Sequence, residues 1–238
     1  MGVVGDFSSR VNKKRLPVFG TAFLSPAAST SFSDNFDGGS GLLADRPGWA
    51  LLSGSSTAYA LNGQRVVAQN TATEMVAPTT IFATNHFAQA VLEARHSLGE
   101  DENGFSYFMT TILLIDYINA NNYTYVRAFE SHAAGSQFSI VNVVNGAAAA
   151  TFNSATPNGQ TTGTYRAEAS NDIKLYFNGQ LRLTAPRSNP STRVGLIAID
   201  NQDAQIDDFS AGNIGQVASP FFGSTAPSWG STQAQFGS

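Results

Sequence analysis

The sequence predicts an all-β protein, a two-sheet antiparallel sandwich with an extended arm at each end. Three observations lead there. Short runs rich in Val, Ile, Phe, Tyr and Thr recur at close intervals, separated by Gly, Asn, Pro and Ser, which is the cadence of a sandwich. Asn-Gly dipeptides recur, and two of them, Asn62-Gly63 and Asn178-Gly179, punctuate paired apolar runs, as tight hairpin turns do. Several runs alternate between two kinds of residue, the period-two signature of a strand with one buried face.

Composition sets the bounds. A chain of 238 residues suits one large β domain with ample core. Apolar content is ordinary at 42 %, but only 13 % of residues are charged, against a usual ~25 %. Ser, Thr, Asn, Gln, Gly and Ala take their place, a composition common in secreted and virion proteins. The absence of cysteine excludes a disulfide framework and thiolate metal sites. No run approaches the ~18 apolar residues of a membrane span. The N-terminus places its basic cluster after the mild apolar residues, the reverse of a signal peptide, and GVVGDF lacks the Ser or Thr that myristoylation needs. The expectation is a soluble chain with no membrane partner.

Residues 1–31 form the N-terminal arm, where Arg10, Lys13, Lys14 and Arg15 stand against Asp6 alone. Scattered cations without interleaved aromatics do not make a nucleic-acid surface, so none is expected. The sandwich then occupies 32–212. Phe36 sits in its first strand, Ala50-Leu51-Leu52 follows Trp49, and 58–68 forms a hairpin over Asn62-Gly63. From Phe87 to Ala94 every second residue, Ala88, Ala90, Leu92 and Ala94, is small or apolar. Residues 105–118 are apolar on both faces, and their Thr, Ile, Phe and Tyr content favours a central strand over a helix. Further strands follow at 123–130, 138–144, 148–152 and 165–169, giving roughly a dozen in all.

The closing stretch, 171–212, is the most legible. A two-residue loop at Asn178-Gly179 would pair Leu175 with Arg182 and mix apolar and charged groups on both faces. A three-residue loop, Phe177-Asn178-Gly179, pairs Ile173 with Leu183 and Leu175 with Leu181, leaving one face buried. The sequence therefore favours the three-residue loop, because a one-residue slip exchanges the faces. A short polar link, the strand 193–199 and a last strand 204–210 follow. In that last strand Ile206 and Asp208 share one face, and Asp207 and Phe209 the other.

The hairpin, the Gly-containing strand and the closing Asp207-Asp208-Phe209 resemble the end of concanavalin A-like lectin/glucanase domains. The opening, Phe32 to Gly38 followed by Pro47-Gly48-Trp49, resembles their start. The resemblance covers about 32–212 and implies a jelly-roll sandwich, of a kind also found in phage virion proteins. It implies that the strand of Phe36 pairs with that of Phe209, so that both arms leave from one region. Glycanases of this class carry Glu-x-Asp-x-x-Glu on one strand, and retaining hydrolysis needs its carboxyls about 5–5.5 Å apart. The motif is missing here, and Glu100-Asp101-Glu102 reads as a solvated loop. His86, His96 and His132 fit no triad pattern. The expectation is a protein without enzymatic activity.

Related lectins often hold a structural calcium near their paired terminal strands. Asp34, Asp37, Asp207 and Asp208 would meet there, with Asp200 and Asp203 one turn away, and calcium takes six to eight oxygens. No other cofactor is implied. Sugar binding calls for an aromatic platform beside amide hydrogen-bonders, which Tyr123 with Asn121 and Asn122 could supply; Trp49 reads as core.

The C-terminal arm, 213–238, has no charge but contains Phe221, Phe222, Trp229 and Phe236. Holding some 26 residues in place costs ~25–50 kcal/mol, whereas burying four aromatics returns ~15–25 kcal/mol. A partner subunit must then supply the rest. The leading expectation is a structural component of a larger assembly, a phage-type virion, strapped to other protein subunits through its arms. The alternative is a carbohydrate-binding module, virion-borne or secreted, with a glycan partner; a glycoside hydrolase comes third.

Overall fold

The computed structural model describes residues 30–69, 73–94, 97–100, 106–131, 135–156, 160–199 and 204–215. Among them, seventeen strands and one 3-10 turn (Leu43–Asp45) form two antiparallel sheets. The nine-stranded sheet contains β1 (Ser31–Asp34), β2 (Ser40–Leu42), β4 (Tyr59–Asn62), β5 (Val66–Ala68), β7 (His86–Ala94), β13 (Gly163–Ala169), β14 (Asp172–Phe177), β15 (Gln180–Pro186) and β17 (Gln205–Asn213). Its order is β15-β14-β13-β7-β17-β5-β4-β2, with β1 laid on β17. The eight-stranded sheet contains β3 (Trp49–Gly54), β6 (Glu74–Pro78), β8 (Ser97–Glu100), β9 (Ser106–Asn119), β10 (Asn122–Ser131), β11 (Gly135–Val144), β12 (Ala147–Ala155) and β16 (Gly195–Ala198). Its order is β12-β11-β10-β9-β16-β6-β3, with β8 on β9. No helix among the described residues is long and apolar enough to cross a membrane.

The main core lies between the sheets. Ala88, Ala90 and Leu92 of β7 meet Ile112, Leu113, Val126 and Ile140 of the opposing sheet, so the alternation in 87–94 does mark a buried face. The central strand expected over 105–118 is β9, Ser106–Asn119. Two register shifts against β10 let Ile112, Leu113 and Ile115 all reach the core. Trp49 is buried against Phe32, Phe36 and Phe209, with ring centroids 5.0–5.8 Å apart.

β1 and β17 pair antiparallel, Asp34 opposite Phe209, as the resemblance implied. Phe36 itself is not in the strand. Asp34 Oδ1 accepts the Phe36 amide in a tight turn, and Phe36 takes a left-handed conformation (φ 58°) that drops its ring beneath Trp49.

Two register expectations need correcting, for one reason. The late hairpin turns on two residues: Phe177 faces Gln180 and Tyr176 faces Leu181. Asn178 (φ 49°) and Gly179 (φ 76°) both adopt the left-handed conformation that a type I′ turn requires. A bulge at Arg182 then restores the parity, setting Leu183 opposite Leu175 and Ala185 opposite Ile173. Leu181, which regular pairing would have buried, is 52 % exposed. In β17 a second bulge, between Asp207 and Ser210, carries a left-handed Asp208 (φ 49°). Ile206 and Phe209 consequently share the buried side. An inserted residue absorbs a slip that a regular ladder cannot.

Candidate functional site

The eight-stranded sheet is apolar on both faces. Leu113, Val126 and Ile140 belong to the main core, while their neighbours Leu114, Tyr125 and Val141 join a separate cluster on the opposite face. That outer cluster contains Met75, Leu114, Tyr123, Tyr125, Val141, Val143 and Ile197, with Leu52, Tyr117 and Ile199 packed at its margin. Tyr123 and Tyr125, two residues apart on β10, place their rings 5.9 Å apart at a 32° tilt. Tyr117 donates its hydroxyl to the Leu52 carbonyl at 3.0 Å. Burial pushes up the phenol pKa of Tyr123, Tyr125 and Tyr117, so all three remain neutral. Arg127, two residues beyond Tyr125, continues the same row, opposite Ser139. A sheet face turned away from the main core is usually polar; here it is apolar and buried, with Tyr123 9 % and Tyr125 8 % exposed.

Of the residues read as a sugar site, Tyr123 lies in this cluster and is only 9 % exposed. Asn121 and Asn122 adjoin it in the β9–β10 turn, but they brace turns. Asn119 Oδ1 accepts the Asn121 amide and the Asn122 Nδ2, and Asn122 Oδ1 accepts the Asn145 amide. Tyr125 and Tyr117 escaped the sequence reading, although the Tyr-x-Tyr spacing of 123–125 already put two rings on one face.

The four aspartates do not converge. Asp34 and Asp208 line one open groove of about 570 Å³ with Asn35, Gln89 and Ser210. Asp34, however, is taken. Arg46 binds both its oxygens at 2.8 Å, and the Trp49 indole and the Phe36 amide donate to it as well. Burial favours the protonated Asp34 carboxyl, but the donors from Arg46, Trp49 and Phe36 outweigh it and hold the pKa below the usual range. Asp37 accepts from Asn35, and Asp207 from the Asp208 amide. Burial, then Asp208 and Glu93 nearby, push Asp207 up. Among the described residues no three His, Asp or Glu side chains converge to hold a metal ion. This donor set does not fit calcium.

Two buried charged groups went unread. Glu74, at the head of β6, has no exposed surface; its Oε2 accepts the Ala58 and Tyr59 amides at 2.7 and 3.0 Å. Burial pushes its pKa up to about 7, with Asp45 adding to the rise and the two amides opposing it. At the other site Arg187, in the link after β15, binds both oxygens of buried Asp116 at 2.7 and 2.6 Å. It also donates to the carbonyls of Thr84, Ser170 and Ser191. His86 closes this group, its ring nitrogens 2.9 and 2.7 Å from the carbonyls of Ala83 and Ile115 and Asp116 3.5 Å away. The polar link is thus a clip joining both sheets, and His86 is part of its packing.

Glu100 falls in β8; Asp101, Glu102, His96, His132, Asp200 and Asp203 lie outside the described residues. So do the arm residues Arg10, Lys13, Lys14, Arg15, Phe221, Phe222, Trp229 and Phe236.

No protein-family model matches the sequence, and no curated protein is significantly similar to it. Solved structures do match in shape. A β-glucanase from Bacillus licheniformis superposes with a TM-score of 0.51 at 10 % identity, covering 78 % of this chain and 99 % of that one. The carbohydrate-binding module CBM66 from Bacillus subtilis gives 0.46 at 16 % identity over 69 % and 93 % of the two chains. A β-1,3-glucanase from Mycobacterium marinum gives 0.46 at 13 % identity over 76 % and 97 %. The expectation of a protein without enzymatic activity is corrected here. It rested on a missing motif and on histidines that fit no triad, and the sandwich is one that a β-glucanase uses. The chain folds as a two-sheet antiparallel jelly-roll sandwich, a fold it shares with the β-glucanase.

Proposed function

We propose that this sandwich binds carbohydrate, and that its ligand face is the outer surface of the eight-stranded sheet around Tyr117, Tyr123 and Tyr125. One observation carries the reading: a second cluster on the other face of the eight-stranded sheet, in which Tyr117 is half-buried and Tyr123 and Tyr125 keep 9 % and 8 % of their surface exposed. Sugar rings have an apolar face that stacks on aromatic rings, while their hydroxyls take hydrogen bonds from polar neighbours. Arg127 and Asn153 continue this face, beside Tyr125 and across β11. Sharing a fold with a β-glucanase supports a glycan as ligand, although fold alone fixes no chemistry. The assembly role and virion location read from the arms rest on residues outside the described ones, so glycan binding stands ahead of them.

The test is titration of the purified chain against soluble β-glucans and a glycan array. Saturable binding is expected, weakened about tenfold or more in Tyr123→Ala and Tyr125→Ala, with far-UV spectra unchanged. No saturable binding to any glycan would overturn the proposal. Release of new reducing ends from a bound polysaccharide would extend it to hydrolysis.

A further inference from the structure

β12 ends the eight-stranded sheet, and among the described residues only β11 pairs with it. Proteins usually protect such an edge with Lys, Pro, a very short strand or a covering loop. Here the edge is nine residues long, AAAATFNSA, and most of it is exposed. The surrounding stretch, 131–165, contains no Asp, Glu, Lys or Arg. The other long edge strand, β15, carries both Arg182 and Pro186. β3, the opposite edge of the same sheet, is also uncharged but has only six residues and is less exposed, so β12 is the longest bare edge among the described residues.

We infer that β12 is a self-association edge, pairing antiparallel with β12 of a second copy to join two eight-stranded sheets into one. A two-fold axis normal to the sheet sets each residue opposite one of the same parity. It also brings any charge close to its own copy, so an uncharged strand suits a second copy of itself. The only register shift in β12 leaves Ala149 unmatched, and Ala150–Ala155 pair regularly with β11. A two-fold centred on Phe152 keeps the contact within this regular part. Ala150 then faces Ser154, Thr151 faces Asn153, and the two Phe152 rings face each other. Phe152 is half-buried and already packs on the edge of the main core, so the second ring closes an edge that one copy leaves open. Cross-strand aromatic and Thr pairs are favourable units of sheet pairing.

Sedimentation equilibrium of the full chain between 1 and 100 µM is expected to give a dimer. The double variants Thr151→Lys/Asn153→Lys and Thr151→Glu/Asn153→Glu set like charges opposite each other on the exposed face, and both replace the Asn153 Oδ1 that accepts the Ser139 hydroxyl. Each alone is expected to be monomeric and still to melt in one cooperative step, and an equimolar mixture to recover the dimer. Because the chain has no cysteine, Phe152→Cys gives a second reading: oxidation is expected to produce a covalent dimer. A wild-type chain that stays monomeric overturns the inference, as does a Lys variant that still dimerises. Restoration by the mixture would exclude an association that runs through the arms.

Discussion

Glu74 shows how one side chain can set a pH dependence. Its carboxyl is raised from 4.5 to about 7 when folded, so the native state holds a proton that the unfolded chain gives up. The stability tied to that proton is complete below the unfolded value and is lost as pH rises through about 7. A shift of this size corresponds to about 3 kcal/mol. Urea unfolding at pH 5 and pH 8 should therefore show the wild type losing about 3 kcal/mol more than Glu74→Gln, since glutamine still accepts the Ala58 and Tyr59 amides through its carbonyl oxygen. Equal losses in both proteins would refute the assignment. Arg187 works by geometry. With its side chain 4 % exposed and bound to both oxygens of Asp116, Arg187→Met should cost about 3–5 kcal/mol by leaving a buried carboxylate unpaired. Lysine should rescue little, because it cannot make the two-pronged contact.

At the level of strands and turns, glycines separate two kinds of cost. Gly179 stands in open space with φ 76°, whereas a Cβ on Gly195 would come within 1.9 Å of the Val76 carbonyl oxygen. Gly179→Ala pays only for its left-handed backbone, about 1 kcal/mol. Gly195→Ala must push β16 off β6 and should cost more, up to about 3 kcal/mol, a ranking that thermal melts of the two variants can check. The same elements explain what could be read in advance. Alternation is local, so β7 and the core face of β14 were legible, as was the aromatic opening around Trp49. Bulges are not written in hydrophobic period. Arg182 and Asp208 each insert one residue, and the late hairpin and the last strand were misread for that reason alone. Arg187 and Asp116 lie 71 positions apart, and no pattern within a short window reports a contact of that span. The site was half visible: Tyr123 stood out and its spacing from Tyr125 already gave a shared face, but Tyr117 needed the β9–β10 pairing to bring it beside them.

For the whole molecule, the two sheets carry different duties. The nine-stranded sheet joins the chain's early and late strands, with β1 and β17 side by side. The eight-stranded sheet offers an aromatic face and a bare edge. A chain shortened to residues 30–215 should melt in one cooperative step, while one ending at residue 203 should not, as calorimetry would show. The ground for this is the seat of β17, which is paired to β7, to β5 and to β1 at once. The last of the described strands thus occupies the middle of its sheet. During translation the ribosome must release nearly the whole domain before that slot can be filled. Until then β5 and β7 keep unpaired edges facing that slot, and the unfinished chain is most open to wrong strand pairing.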